Sequence, residues 1–98
     1  MTRKLTPIHP GEVLREDLLL PLGLSATALA EAIGVTPARI SEILRGRRSI
    51  TADTALRLAR YFGTDAQSWL NLQARYDLEL ASDSLAIDLR HIQPRRAA

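Results

Sequence analysis

The sequence predicts an all-α fold of five helices built around a helix-turn-helix, with a short extended C-terminal segment. Three observations carry this reading. Residues 25–45, Ser25-Ala-Thr-Ala-Leu-Ala-Glu-Ala-Ile-Gly-Val-Thr-Pro-Ala-Arg-Ile-Ser-Glu-Ile-Leu-Arg45, read as two short helices joined by a tight turn. Apolar residues recur at helical spacing through each segment as far as about Ala81. Capping residues and glycines punctuate those segments where helices start and stop.

The first helix starts at His9-Pro10-Gly11-Glu12, with proline near its first position. Glu12, Glu16 and Asp17 sit towards its positive end. Val13, Leu14, Leu18 and Leu20 supply its apolar face, and Pro21 and Gly23 stop it. Ser25 caps the second helix by accepting from free N–H groups of the first turn. Gly34 ends that helix, because glycine tolerates the positive φ of the turn. Thr36 caps the third helix, and Pro37 occupies its first turn, where no N–H is needed. Leu29, Ile33, Ile40, Ile43 and Leu44 face the core, and Ala30 is small where helices cross closely.

Thr51 caps a fourth helix over 52–62, with the stripe Ala55, Leu56, Leu58, Ala59 and Phe62, and Gly63 closes it. Thr64 or Asp65 caps a fifth helix running to about Ala81. Trp69, Leu72, Tyr76 and Leu80 mark one face, with Trp69 read as core; Leu70, Ala74, Leu78 and Ala81 mark another. A helix apolar on two sides is usually buried on two sides. In so small a chain the second side is expected to meet another copy. Beyond Ser82-Asp83-Ser84, Leu85, Ile87 and Leu89 alternate with Ala86, Asp88 and Arg90, which predicts an extended segment. That segment joins Leu70, Ala74, Leu78 and Ala81 in the expected dimer interface. The organisation is then a flexible arm over 1–8, a domain over 9–81 and a tail over 82–98 that ends in the basic run Pro94-Arg95-Arg96.

Ninety-eight residues suit one small domain with a modest core, so dimer formation is a natural source of further burial. The net charge is only +2, but Arg39 to Arg48 holds four arginines and one acid, a local footprint suited to nucleic acid. Without cysteine there is no disulfide framework and no thiolate metal site. The opening Met-Thr-Arg-Lys-Leu-Thr-Pro has no apolar region behind its charges, so it does not read as a secretory signal. No apolar run approaches the roughly 20 residues that span a bilayer. A cytoplasmic, nucleoid-associated protein without membrane contact is expected. His9 and His91 lie far apart with no third ligand at a suggestive spacing. No nucleophile–base arrangement or paired carboxylate stands in a catalytic setting. Neither an enzyme nor a cofactor is predicted.

The helix-turn-helix resembles the lambda-repressor/Cro-like (XRE) DNA-binding domains over about residues 10–63. The segments His9-Pro-Gly-Glu-Val-Leu-Arg-Glu16 and Ser68-Trp-Leu-Asn-Leu-Gln-Ala-Arg-Tyr-Asp-Leu78 are more particular. Together they look like the HigA/VapI group, the antidotes of bacterial toxin–antitoxin modules. The resemblance implies a homodimer that binds a palindromic operator in its own promoter. It also implies a small toxin partner, usually a ribonuclease that cleaves messenger RNA. A free-standing or phage-type repressor without a toxin is the alternative. An interaction module that neutralises a partner but binds DNA poorly is disfavoured by the basic loop.

Many lambda-like domains carry glutamine at the start of each motif helix, where this chain has Ala26 and Pro37. Base contacts are therefore expected further along, at Ala38, Arg39, Ser41 and Glu42. Arg39 can bridge O6 and N7 of guanine; otherwise it meets phosphate or pairs with Glu42 three residues on. Glu42 is read chiefly as orienting Arg39. Ser25, Thr36, Arg45, Arg47, Arg48 and Ser49 are assigned to the DNA backbone, since arginine forks suit phosphate oxygens. With those two faces assigned, the first helix, the arm and the outer sides of the second and fourth helices remain for a protein partner. Asn71 and Gln73 are expected to satisfy buried polar groups or to join the dimer contact.

Overall fold

A computed structural model describes residues 6–95 of the chain, and the regular elements among them are all helices. The first, α1, is one rod in three parts: an α-helical turn at Pro10–Val13, a π-helical stretch at Leu14–Leu19 and a last α-helical turn at Leu20–Leu22. Then come α2 (Ala26–Ile33), α3 (Pro37–Leu44), α4 (Ala52–Phe62), α5 (Ala66–Ser84) and α6 (Ala86–Arg90).

The punctuation agrees with the sequence. Ser25, Thr36 and Thr51 accept from the N–H groups of Ala28, Arg39 and Thr54. Asp65 caps α5 by accepting from Ser68, while Thr64 accepts from the Trp69 indole at 2.9 Å. The core is the single cluster of Leu14, Leu19, Leu29, Ala30, Ile33, Ile40, Ile43, Ile50, Ala55, Leu58 and Trp69.

Three expectations need correction. In α1 the buried pair is Leu14 and Leu19, whereas Leu18 is half-buried and Leu20 exposed. The π-helical stretch adds a residue to the turn, so the position five residues on, not four, returns to the core. On α4, Leu56 is exposed rather than part of the buried stripe. The expected extended segment is the helix α6, and α5 itself runs on to Ser84. Leu85, Leu89 and Ile92 are also spaced for one side of a helix, and five alternating residues are too few to separate the two periods. The N–H groups of Leu85, Leu89 and Ile92 donate to Ala81, Leu85 and Leu89, which completes helical turns instead of a strand. Of the expected arm, residues 1–5 lie outside the described residues, as does Arg96 of the tail; Thr6–Ile8 have no regular structure.

The tightest crossing is between α1 and α3. A Cβ on Gly11 would lie 1.8 Å from the Ile43 carbonyl oxygen. Glycine is therefore required there by space, since one backbone rests on another. Arg15, one turn along, donates to the Leu44 carbonyl at 3.3 Å and so serves an orphan acceptor at the end of α3.

Gly11→Ala must push α1 off α3 and is expected to destabilise the fold by about 3 kcal/mol, the upper end of overpacking costs. Gly23→Ala, where nothing lies within 4 Å of the new methyl, should cost only the roughly 1–2 kcal/mol of left-handed backbone strain. Urea midpoints of the two variants test the ranking, and equal losses would refute the steric reading of Gly11.

Candidate nucleic-acid interface

The outer side of α3 and the loop that follows hold most of the predicted site. Ile40 and Ile43 anchor α3 in the core. Pro37 and Ala38 stand exposed, and Arg39, Ser41 and Glu42 are partly exposed beside them. Arg45, Arg47, Arg48 and Ser49 follow, all exposed. Ser25 and Thr36 spend one acceptor lone pair each as caps, which leaves their hydroxyl protons free to donate outward.

The path of the basic loop is set by main-chain geometry. Gly46, at φ 73°, takes the left-handed conformation that ends α3, and the Arg47 N–H returns to the Glu42 carbonyl at 2.8 Å. At its far end the Ile50 N–H donates to Gln73 Oε1 at 2.8 Å. Gln73 is itself buried and donates to Asp77, so α5 pins the loop from below. Of the two alternatives open for Gln73, the buried-polar role is the observed one. Asn71 instead accepts from Gln67 on the surface.

The arginine partners differ from expectation. Glu42 does not hold Arg39; it pairs with Arg48 Nε at 2.8 Å. Arg39 pairs with Asp53 on the first turn of α4, at 3.1 Å. Asp53 also takes Arg57 Nε at 2.7 Å, and the same guanidinium donates from Nη1 to the Ile33 carbonyl at 2.7 Å. A relay thus runs from the end of α2 through Arg57 and Asp53 to Arg39. The hydrogen bond from Arg57, with that from Arg39, holds the Asp53 carboxyl below its ordinary range. Asp53 and Arg57 are functional candidates the sequence reading missed. The four-residue spacing of that pair was a visible signal, but the link to Arg39 depends on tertiary approach.

His9 forms the floor beneath the loop. Its Nδ1 accepts from the Gly11 N–H at 2.9 Å, capping α1, and its ring meets Tyr76 edge-on at 4.8 Å. The ring also lies within reach of Gly46. Burial pulls the His9 pKa below 6.5, against the opposing pull of Asp77 and a hydrogen bond to the Arg48 backbone.

A second feature lies on α5 and α6. On the second face of α5 and on α6, Leu70 is half-buried, Ala74 and Ala81 are exposed, and Leu78 is 70% exposed. Leu85, Ile87 and Leu89 are exposed as well. Leu78 and Ala81 lie three residues apart on α5, and Leu85 and Leu89 four apart from the junction onto α6. Among the described residues no group of histidines, cysteines and carboxylates is arranged to hold a metal ion, and no helix is long and apolar enough to cross a membrane.

A helix-turn-helix family model, HTH_3, matches residues 14–69. Virulence-associated protein I of Dichelobacter nodosus is 69% identical over 74 residues, covering 76% of this chain and 68% of that protein. Antitoxin HigA-1 of Vibrio cholerae is 39% identical over 75 residues, covering 76% and 70%. The structure of Pseudomonas aeruginosa antitoxin HigA with the higBA promoter superposes with a TM-score of 0.88 at 43% identity, covering 92% of this chain and 99% of that one.

Because the folded pKa of His9 is lowered, the unfolded state takes up the proton first as pH falls. Stability should be full above pH 6.5 and decline as pH drops from there through the folded pKa. His9→Asn keeps a capping acceptor but removes the titration, so its thermal midpoint should fall less between pH 7.5 and 5.5 than that of the parent. Parallel pH profiles would remove His9 as the cause.

Proposed function

The chain belongs to the XRE-type helix-turn-helix family and to its HigA/VapI group, a family of DNA-binding antitoxins and regulators rather than enzymes, and from that premise we propose that it is a DNA-binding antitoxin. In this reading it represses its own operon as a homodimer and neutralises a cognate ribonuclease toxin. The observation that carries the DNA-binding part is the polar side of α3, joined to an arginine loop whose path is fixed from both ends. The promoter-bound antitoxin, alike over nearly the whole chain, supports the same part. The toxin half rests on the names of the relatives.

Within this proposal Arg39 reads a base edge from α3, with Ala38, Ser41 and Glu42 beside it. The Asp53 partner limits its rotamers before DNA arrives, so less entropy is lost on binding. Arg45, Arg47 and Arg48, with Ser25, Thr36 and Ser49, meet phosphates and set the register. Glu42 keeps Arg48 against the helix until a phosphate competes for it. The dimer is built from Leu70, Ala74, Leu78, Ala81, Leu85, Ile87 and Leu89. Leu70 packs partly on the core, and the other residues of this set are open to water on the single chain, which suits a second copy.

Arg39→Ala should weaken operator binding by about 1–3 kcal/mol and relax preference at one base position. Arg47→Ala should weaken operator and scrambled duplex alike and flatten the salt dependence. Fluorescence titrations over a range of salt separate the two. Equal loss on both duplexes for Arg39→Ala would reduce that residue to a phosphate contact.

The two recognition helices of the dimer should stand about one duplex turn apart, roughly 34 Å. Leu78→Lys with Leu85→Lys, both at exposed positions, should leave the helical fold intact and convert a micromolar dimer to monomer in sedimentation. The same variant should lose most of its affinity for a palindromic duplex. A parent protein that sediments as a monomer would overturn the dimer.

A further inference from the structure

The side of α1 that faces away from α3 carries a groove that DNA recognition does not use. Gly11 and Arg15 face α3. Val13 and Asp17 lie two residues round from them, on the opposite side of the rod. There α1 and α5 leave two depressions of about 230 and 220 Å³, a third of about 190 Å³ lies along α1 and Ile8, and Val13 lines all three. The floor is apolar: Ile8, Val13, Leu18, Trp69 and Leu72. The rim is acidic: Glu12, Glu16, Asp17, Asp65 and Glu79. Among the described residues Arg75 is the cation on it. Asp65 is spent on capping α5, and Glu16 pairs with Arg15. Among the described residues Glu12, Asp17 and Glu79 have no ion-pair partner.

We propose that this groove binds a basic, apolar-studded segment of the toxin. The inference rests on the antitoxin reading and deepens it by choosing the surface. A protein that acts on RNA needs a cationic surface for its polyanionic substrate, because phosphate neutralisation dominates such binding. An apolar trough edged with carboxylates complements that surface and repels nucleic acid. The competing groove, between α2 and α4, has the opposite character. It measures about 460 Å³, and its charged lining is Arg57 and Arg60 beside Leu56 and Tyr61. It would repel a cationic partner, and it borders the Arg57 relay that serves the DNA face. Toxin docking therefore uses α1 with α5 and leaves the outer side of α2 and α4 clear. Because the groove lies behind α3, toxin and operator can be held together.

The test uses as its probe the product of a short open reading frame next to this gene, whose absence would overturn the antitoxin reading itself, with calorimetric titration against the full chain. Glu12→Lys with Asp17→Lys reverses two exposed charges and should weaken toxin binding about tenfold or more, as like charges across an interface do. Operator affinity, measured on the same sample, should be unchanged within about twofold, which reports an intact fold and dimer. Glu12→Gln with Asp17→Asn should fall between, and raised salt should weaken the parent complex more than the variant complexes. Arg60→Glu, on the competing groove, should bind toxin normally. Unchanged toxin affinity in the charge-reversed protein, or loss confined to Arg60→Glu, would overturn the groove while the antitoxin reading stands. Failure of the parent chain to bind the neighbouring protein at all would overturn both.

Discussion

The approach of α1 to α3 at Gly11 is the constraint on which the rest of the structure depends. With the Ile43 carbonyl where a methyl group would otherwise be, the two backbones are in direct contact. Two polar devices lock that contact at neighbouring positions. His9 caps α1 from under the basic loop, and Arg15 serves the carboxyl end of α3. Helix α3 is thus held by backbone contact and by a hydrogen bond at its own terminus, in addition to side-chain packing. A helix of only eight residues has little intrinsic stability, so its orientation must come from such tertiary contacts. The π-helical stretch belongs to the same solution. It turns Leu19 inward while the Gly11–Arg15 side stays against α3.

In the proposed interface, orientation passes from the scaffold to Arg39. Arg57 satisfies the end of α2 and holds Asp53; Asp53 holds Arg39. An aspartate on a DNA-binding surface opposes phosphate binding in general. In the proposed role it trades affinity for selectivity: it would weaken non-specific association while restricting Arg39 to one direction. Glu42 acts likewise on Arg48. Each acid on this face is matched to an arginine, while Arg45 and Arg47 carry no ion pair among the described residues, so the face remains net basic.

Local signals carried most of the fold. The caps at Ser25, Thr36 and Thr51, the turn glycine Gly34 and the apolar positions of α2 and α3 act through neighbours a few residues away, which a linear reading can follow. The register of α1 was not legible, because Leu18-Leu19-Leu20 offers an apolar residue to every possible turn. The alternation around Ile87 concealed the helical spacing of Leu85, Leu89 and Ile92. In the site, residue types and positions were legible but their pairings were not. Asp53 lies fourteen residues from Arg39, and Gln73 lies twenty-three from Ile50. Only the packed helices bring such groups together. Glu42 was assigned to Arg39 on helical spacing, and the turn at Gly46 delivered Arg48 to it instead.

The near-neutral net charge conceals a division of labour. Arginines gather on α3 and its loop, and carboxylates gather along the reverse side of α1 and the start of α5. The two sides meet through α1: Glu16 on the acidic side pairs with Arg15, which donates to the Leu44 carbonyl beside Arg45. In the proposed complex a cationic protein on the acidic side contacts carboxylates that the arginine loop does not use. A single small domain can in this way hold two polyelectrolyte-like surfaces of opposite sign. The requirement is a rigid rod between them, and the glycine contact with the packed leucines of α1 provides it.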